Sequence, residues 1–312
     1  MSAAPARAAP AGAAPAGAAP AGAAPARAGV RKTPIGTDAV RDKGWWRAHQ
    51  WLVLRRLVQL SILALFLSGP VAGLWIVKGN LASSLTLGVL PLTDPFVLAQ
   101  TLVTRHWPEV SALIGVTIVL AIYLVVGGRV FCAWVCPMNV VTDAAAWLRR
   151  RLGIVTSRAP SRQFRLWLLA GVLIGAALTG MAVWEWVNPV STLQRGLVFG
   201  FGMGGWVVFA IFVYDTLVAS HGWCGHLCPQ GAAYGLIGRA SLTRVTAARR
   251  SRCNDCGDCL MVCPEPQVIV PALKGTGSPV IVNGDCTNCG RCIDVCGPDV
   301  FRFGVRFDQR SE

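Results

Sequence analysis

Charge is scarce in this chain: Lys, Arg, Asp and Glu make up 14% of its 312 residues, while 54% are hydrophobic. A soluble domain of that length needs a more polar surface, so a free-standing globular enzyme is excluded. Histidine is scarce too. None of the four lies inside an apolar run, which leaves a bis-histidine b-type haem between helices without ligands. C-x-x-C-H is absent, and conventional c-type haem goes with it. G-x-G-x-x-G occurs once, as "GFGMGG" (Gly200–Gly205), inside an apolar run and not between a strand and a helix. That context predicts close helix packing through small residues, not nicotinamide or flavin binding. Residues 1–30 repeat "AGAAP" with almost no bulky side chains and no apolar h-region ahead of them. They read as a disordered tail, not a signal peptide.

What is present is apolar length. Four runs, about Leu57–Val77, Val110–Val126, Leu166–Val187 and Leu197–Ala219, are each long enough to cross a hydrocarbon core of about 30 Å. Nine Lys and Arg precede the first run, seven fill residues 128–165 and five fill 220–252. The two other connections hold only Lys78, Arg105 and Arg195. By the positive-inside rule both termini and the middle loop face the cytoplasm of a bacterial inner membrane. The net charge of +14 is therefore topological, and no nucleic-acid partner is implied. Arg55-Arg56 reads as an inside anchor for the first helix, since no small-residue cleavage site follows. "KGWWRAHQW" (Lys43–Trp51) reads as an interfacial stretch.

The membrane part looks duplicated. "LSGPVAGLW" with "NLASSL" echoes "LTGMAVWEW" with "NPVSTL", and "FCAWVCP" (Phe131–Pro137) echoes "WCGHLCP" (Trp223–Pro229). Each half reads as helix, outer loop, helix and C-x-x-x-C-P, which makes a parallel two-helix repeat.

The 12 cysteines fall into four groups with none left over. "CNDCGDCLMVCP" (Cys253–Pro264) and "CTNCGRCIDVC" (Cys286–Cys296) both have the C-x2-C-x2-C-x3-C spacing of bacterial ferredoxins. Three thiolates of each run hold three irons of one cubane and the fourth reaches to the other. Cys253, Cys256, Cys259 and Cys296 are thus assigned to one [4Fe–4S] cluster, and Cys286, Cys289, Cys292 and Cys263 to the second. Tetrahedral zinc fits this doubled spacing poorly. Gly297-Pro298 follows the last cysteine where Pro264 follows the first run directly, a departure that removes no ligand.

The remaining cysteines form two C-x-x-x-C-P motifs, Cys132/Cys136 and Cys224/Cys228. If a membrane helix continues through each pair, its sulfurs share one face at i and i+4, and the proline breaks the helix just after. Two such pairs at one depth are placed to meet as a four-thiol redox or metal site. The spacing admits a cofactor, a disulfide or docking, with His221 and His226 as possible further ligands. Among the acids, Glu185 in "WEWVNP" is placed to accept a proton from quinol. Asp215 is placed to orient the Cys224–Cys228 segment or to serve a proton path.

Taken together, "KGWWRAHQWLVLRRL", "FLSGPVAGLW", "PLTDPF", "FCAWVCPMNVVTDAAAWLRRR", "WEWVNPVS", "HGWCGHLCPQGAAYG", "CTNCGRCIDVC" and "DVF" resemble the NapH family from about Lys43 to the C-terminus. That family is the membrane-bound ferredoxin-type quinol dehydrogenase subunit of periplasmic nitrate reductase systems. The resemblance implies four transmembrane helices, two [4Fe–4S] clusters, redox-relevant Cys132/Cys136 and Cys224/Cys228, and quinol as electron donor. Its implied partners are membrane lipid, a periplasmic NapG-like ferredoxin subunit and a membrane-anchored multihaem cytochrome, with electrons ending at a molybdenum nitrate reductase. The expected fold class is membrane all-α plus a small α+β 2[4Fe–4S] ferredoxin-like domain. The expected domains are a tail over 1–42, a four-helix membrane domain over 43–250 and the ferredoxin-type domain over 251–312. The rival reading is a membrane iron–sulfur factor for copper handling or metalloenzyme assembly, in which the four membrane-edge cysteines bind or reduce copper.

Overall fold

In a computed structural model, which describes residues 34–308, the polar side chains of the helical part point inward and the apolar ones outward. Gln59, Gln100, Asn188, Gln194, Asp215 and Gln230 are buried, while Leu57, Leu60, Ile114, Ile122, Ile174 and Phe209 are exposed. This inversion of the soluble pattern suits a lipid surround, where backbone and side-chain polar groups need partners within the protein.

Helix α1 (Thr37–Ala72) has a break at Gly44 and ends at Gly73, whose left-handed backbone lets its N–H return to Gly69. It therefore starts within the segment expected as tail and stops short of Val77. The repetitive residues 1–30 lie outside the described residues. Three short antiparallel strands follow, β1 (Val77–Gly79), β2 (Ser83–Thr86) and β3 (Leu90–Thr93). The β2–β3 connection turns through Leu87-Gly88, both at positive φ, as a tight hairpin turn requires. This sheet corrects the all-α expectation for the membrane part. It packs on α3 (Val110–Val126), which follows α2 (Pro95–Val103).

Next come α4 (Val130–Trp134), α5 (Met138–Arg151) and α6 (Phe164–Thr179). The last ends at left-handed Gly180, so the third apolar run is helical for only part of its expected length. The fourth run is divided. Helix α7 (Val183–Val187) leads to α8 (Pro189–Phe199), and α9 (Gly205–Leu217) begins after a break through "GFGMGG". The glycines do not lie within one packed helix as expected; Gly200 sits at φ 92° and ends α8. Among the described residues, α1 alone is long and apolar enough to cross a membrane, with α3, α6 and α9 as shorter apolar helices.

After a π-helical turn (Trp223–Leu227) come α10 (Pro229–Gly238) and β4 (Thr243–Thr246). The cysteine-rich segment carries α11 (Asp258–Val262), α12 (Val270–Lys274), α13 (Arg291–Asp294) and β5 (Arg302–Val305). Strand β4 pairs antiparallel with β5. A strand from before the cysteine runs thus joins the sheet of the cysteine-rich segment. The described residues 34–308 all fall in one compact unit.

The two halves correspond, but not through the asparagines that the sequence pairs. Asp94-Pro95 and Asn188-Pro189 each start a helix, α2 and α8, with proline at the first position. The Asp94 carboxylate accepts the Phe96 N–H at 2.8 Å, and the Asn188 side-chain oxygen accepts the Val190 N–H at 3.0 Å. A glutamine lies six residues after each cap. Gln100 accepts the Trp184 N–H of the other half at 3.1 Å, and Gln194 accepts the Leu81 N–H at 2.9 Å. The helices after the C-x-x-x-C-P motifs also exchange, α5 packing on α9 and α10 on α3.

Candidate functional site

Both C-x-x-x-C-P motifs lie at the end of the bundle that carries the cysteine-rich segment. Neither continues a long helix. Gly127, at φ 145°, ends α3, so Cys132 sits in the separate short α4 and Cys136 follows it. Cys224 lies in the π-helical turn and Cys228 caps α10, its sulfur accepting the Gly231 N–H at 3.4 Å. The prolines open the next helices more than they close the previous ones, Pro229 taking the first position of α10.

Both motifs nonetheless face one core, although among the described residues they form no group of three or more side chains set to hold a metal ion. Cys136 is buried, Cys132 and Cys228 pack on the same core, and Cys224 feels the charge of all three. Burial pushes all four thiols up, Cys228 to about 12. A buried set like this is stable as neutral thiols, as a disulfide, or with a cationic centre to balance thiolates. Asp215 accepts the Trp223 N–H at 2.9 Å, the orienting role expected for it. The His226 ring faces the Pro160 carbonyl at 2.7 Å, and His221 is buried.

The eight cysteines of the last segment sort by proximity. Cys259 feels Cys296, Cys256 and Cys253, whereas Cys292 feels Cys289, Cys263 and Cys286 before Cys259. Cys263, Cys286, Cys289 and Cys292 line one pocket, with Glu265, Gly290 and Arg291. Both C-x-x-C loops bend alike: Asp255 and Gly257 on one, Asn288 and Gly290 on the other, all have positive φ. Such paired left-handed residues turn successive N–H groups toward one point, a cradle for an anionic sulfur-rich group. A β-carbon at Gly290 would run into the Trp51 indole, which closes this cradle from α1. The donor set, pocket and loop geometry fit [4Fe–4S] cubanes. Over Cys289, Arg291 and Arg55 outweigh burial and draw the thiol below its usual value.

Between the two cysteine regions lies a charge network that the sequence did not disclose. Glu265 is 1% exposed and pairs with Arg129 at 2.7 Å, Arg165 at 3.1 Å and Arg162. Arg129 also donates to the Cys224 carbonyl at 2.9 Å and to the Asp285 carbonyl at 3.1 Å. Arg165 donates to the Gly225 carbonyl at 3.2 Å and pairs with Asp285 at 2.5 Å. Trp134, between Cys132 and Cys136, donates to the Asn288 carbonyl at 3.1 Å. Asn288 in turn donates to the carbonyls of Val126 and Thr243. Every contact here spans more than forty residues of sequence. The only local signal was Asn288 itself, inside a C-x-x-C loop.

Glu185 stands apart. Its carboxylate accepts from Asn188 at 3.1 Å and Ser191 at 3.0 Å, holding the start of α8. Asp94 is more deeply placed: Gln230 donates to it at 2.7 Å and also contacts the Tyr234 hydroxyl at 2.7 Å. The Tyr234 ring stacks edge-on against Tyr123 and against Phe131, the neighbour of Cys132.

Comparison with known proteins now adds to this geometry. A 4Fe-4S binding domain profile matches residues 109–154 and 196–246, one C-x-x-x-C-P motif in each, and a 4Fe-4S dicluster domain profile matches 252–300. The chain is 52% identical to ferredoxin-type protein NapH of Haemophilus influenzae, over 89% of this chain and 97% of the relative. It is 49% identical to NapH of Escherichia coli, over 90% and 99%. This chain belongs to the NapH family of ferredoxin-type proteins. It is also 55% identical to the methylamine utilization ferredoxin-type protein MauN of Methylorubrum extorquens, over 86% and 94%. The family is thus one of ferredoxin-type iron–sulfur electron-transfer proteins, and one similar relative is named for methylamine utilization. No solved structure matches.

Proposed function

We propose that this protein is an inner-membrane subunit that takes electrons from quinol and delivers them, through a periplasmic iron–sulfur partner, to nitrate reductase. The observation that supports the electron-transfer reading is the pocket lined by Cys263, Cys286, Cys289 and Cys292, tied by the Glu265 network to the Cys224–Cys228 turn. When bound, the clusters supply one-electron storage and transfer. Cys253, Cys256, Cys259 and Cys296 would hold one, and Cys263, Cys286, Cys289 and Cys292 the other. Arg129 and Arg165 fix the Cys224–Cys228 turn against this second set, and Trp134 and Gln59 fix the Cys132–Cys136 turn. The membrane-edge thiols are the remaining redox-active groups in reach.

We read α1, which is long and apolar enough to cross a membrane, and the shorter apolar helices α3, α6 and α9 as four spans, since each overlaps one apolar run and carries outward apolar side chains. Oxidising quinol also releases protons. Asp94 suits this role better than Glu185, since its pseudo-symmetric counterpart Asn188 makes the same helix cap without a charge. The charge at Asp94 is thus surplus to capping, and Gln230 links it to the Tyr234 hydroxyl.

The test is anaerobic purification with iron and labile-sulfide analysis, then addition of a reduced quinol under EPR in the presence of partner subunits. Reduction of the clusters is expected. Clusters that dithionite reduces and quinol does not would defeat the quinol assignment. The identity to MauN favours a second destination, a methylamine utilization system. Deletion of the gene separates them: loss of growth on nitrate supports the first, and loss of growth on methylamine alone supports the second.

A further inference from the structure

We propose that Arg55 is a built-in counter-charge that raises the reduction potential of the cluster held by Cys263, Cys286, Cys289 and Cys292. The inference rests on the two-cluster reading above.

Arg55 belongs to a pair whose members behave differently. Arg56 reaches Gln59 at 2.7 Å and pairs with Asp143. Arg55 is 1% exposed, and neither its Nε nor its Nη1 finds a hydrogen-bond partner among the described residues. A guanidinium does not readily shed its proton. A buried cation left uncompensated is strongly destabilising, so negative charge must face it.

Two carboxylates, Asp143 and Asp294, lie within the field of Arg55, and both already hold other partners. Asp143 is shared by Arg56 and Arg291, the latter at 2.7 Å. Asp294 accepts the N–H groups of Trp51 at 3.2 Å and Leu52 at 2.9 Å. Lys43 pairs with Asp299 at 3.2 Å. What Arg55 does meet is the second cysteine set. Helix α1 lies along α13. Trp51, one turn before Arg55 on the same helical face, covers Gly290 so closely that a β-carbon would collide with it. Cys289 immediately precedes that glycine, and Arg55 and Cys289 each feel the other's charge. The thiolate-ligated cluster is therefore an anion that Arg55 faces directly, beside the carboxylates of Asp143 and Asp294.

A [4Fe–4S] cluster gains negative charge when reduced. A fixed cation in a water-poor pocket then favours the reduced form over the oxidised one, and net charge is a known determinant of cluster potential. The other set has a different setting: Cys253 and Cys256 are partly exposed, and Cys296 feels Lys43, which is already paired with Asp299. The consequence is an asymmetry. Electrons settle on the cluster nearer the Glu265 network and the membrane-edge thiols.

The experiment is an EPR-monitored redox titration of the anaerobically purified full-length protein, comparing wild type, Arg55→Gln and Arg55→Lys, with iron and labile sulfide measured on each. Arg55→Gln should lower the midpoint of one cluster and leave the other unmoved, while Arg55→Lys should stay near wild type. Should Arg55→Gln lose iron from the second set, the charge-retaining Arg55→Lys must restore loading with a near-wild-type midpoint. Failure of that rescue overturns the proposal. So do unchanged midpoints in a fully loaded Arg55→Gln protein. A wild type without iron or sulfide would instead refute the cluster reading itself.

Discussion

At Glu265 one carboxylate faces three guanidiniums in a site closed to water. Arg129, Arg162 and Arg165 come from the stretch that runs from the end of α3 into the first turn of α6, and Glu265 from the cysteine-rich segment two residues after Cys263. Removing one partner of such a buried network leaves the others uncompensated, at a cost of about 3–5 kcal/mol. Glu265→Ala should therefore lower the thermal midpoint of the detergent-solubilised protein strongly and release the C-terminal segment to proteolysis. Limited digestion with mass analysis checks this. A variant as stable and as protease-resistant as wild type would show that the network does not join the two parts. The cysteines were legible from sequence because their spacing is local and their ligand chemistry is narrow. Glu265 and Arg129 were not, because 136 residues separate them and each reads alone as ordinary surface charge.

The helices α2 and α8 show what an element adds. Both start with an Asx-Pro cap, and both send a glutamine into the opposite half. Asp94→Asn should keep the cap, since Asn188 already demonstrates that chemistry in the same setting. Asp94→Ala should lose it, at about 1 kcal/mol. If Asp94 accepts a proton from quinol, Asp94→Asn should slow quinol-driven cluster reduction by about 10²-fold or more while leaving reduction by dithionite intact. Stopped-flow absorbance with each reductant separates the two effects, and an Asp94→Asn protein with wild-type quinol kinetics removes the proton role. The motif was visible in the sequence as D-P-x4-Q and N-P-x4-Q. It was masked by the more similar string around Asn80, whose side chain in fact closes a strand turn by accepting from Ala82 and Ser83. Hydropathy likewise read the third and fourth runs as continuous because it sees side chains only. The breaks at Gly180 and Gly200 are backbone events.

For the whole molecule, the decisive arrangement is that α1's first turns, both C-x-x-x-C-P motifs and the cysteine-rich segment gather at one end. Gly36 donates its N–H to Asp258 at 3.0 Å and Lys43 reaches the Ile293 carbonyl at 2.5 Å, which ties the start of α1 to the cysteine-rich segment. Arg129 and Trp134 tie the motifs to the same segment. The β1–β3 sheet and the α7–α8 connection are reached only after traversing α1 and α6. If the four apolar helices span the bilayer, one side must hold both ends of the described chain and the other must hold residues 77–93 and 183–204. By the positive-inside rule, the lysines and arginines concentrated at the first end predict that this side is the cytoplasm. A green fluorescent protein fused after Glu312 should then fluoresce, and alkaline phosphatase inserted near Gly88 should be active. Activity of the phosphatase at the C-terminus would put the cysteine-rich segment outside. The positive-inside assignment would fall with it, as would the need for electrons to cross the membrane from that segment to a periplasmic partner.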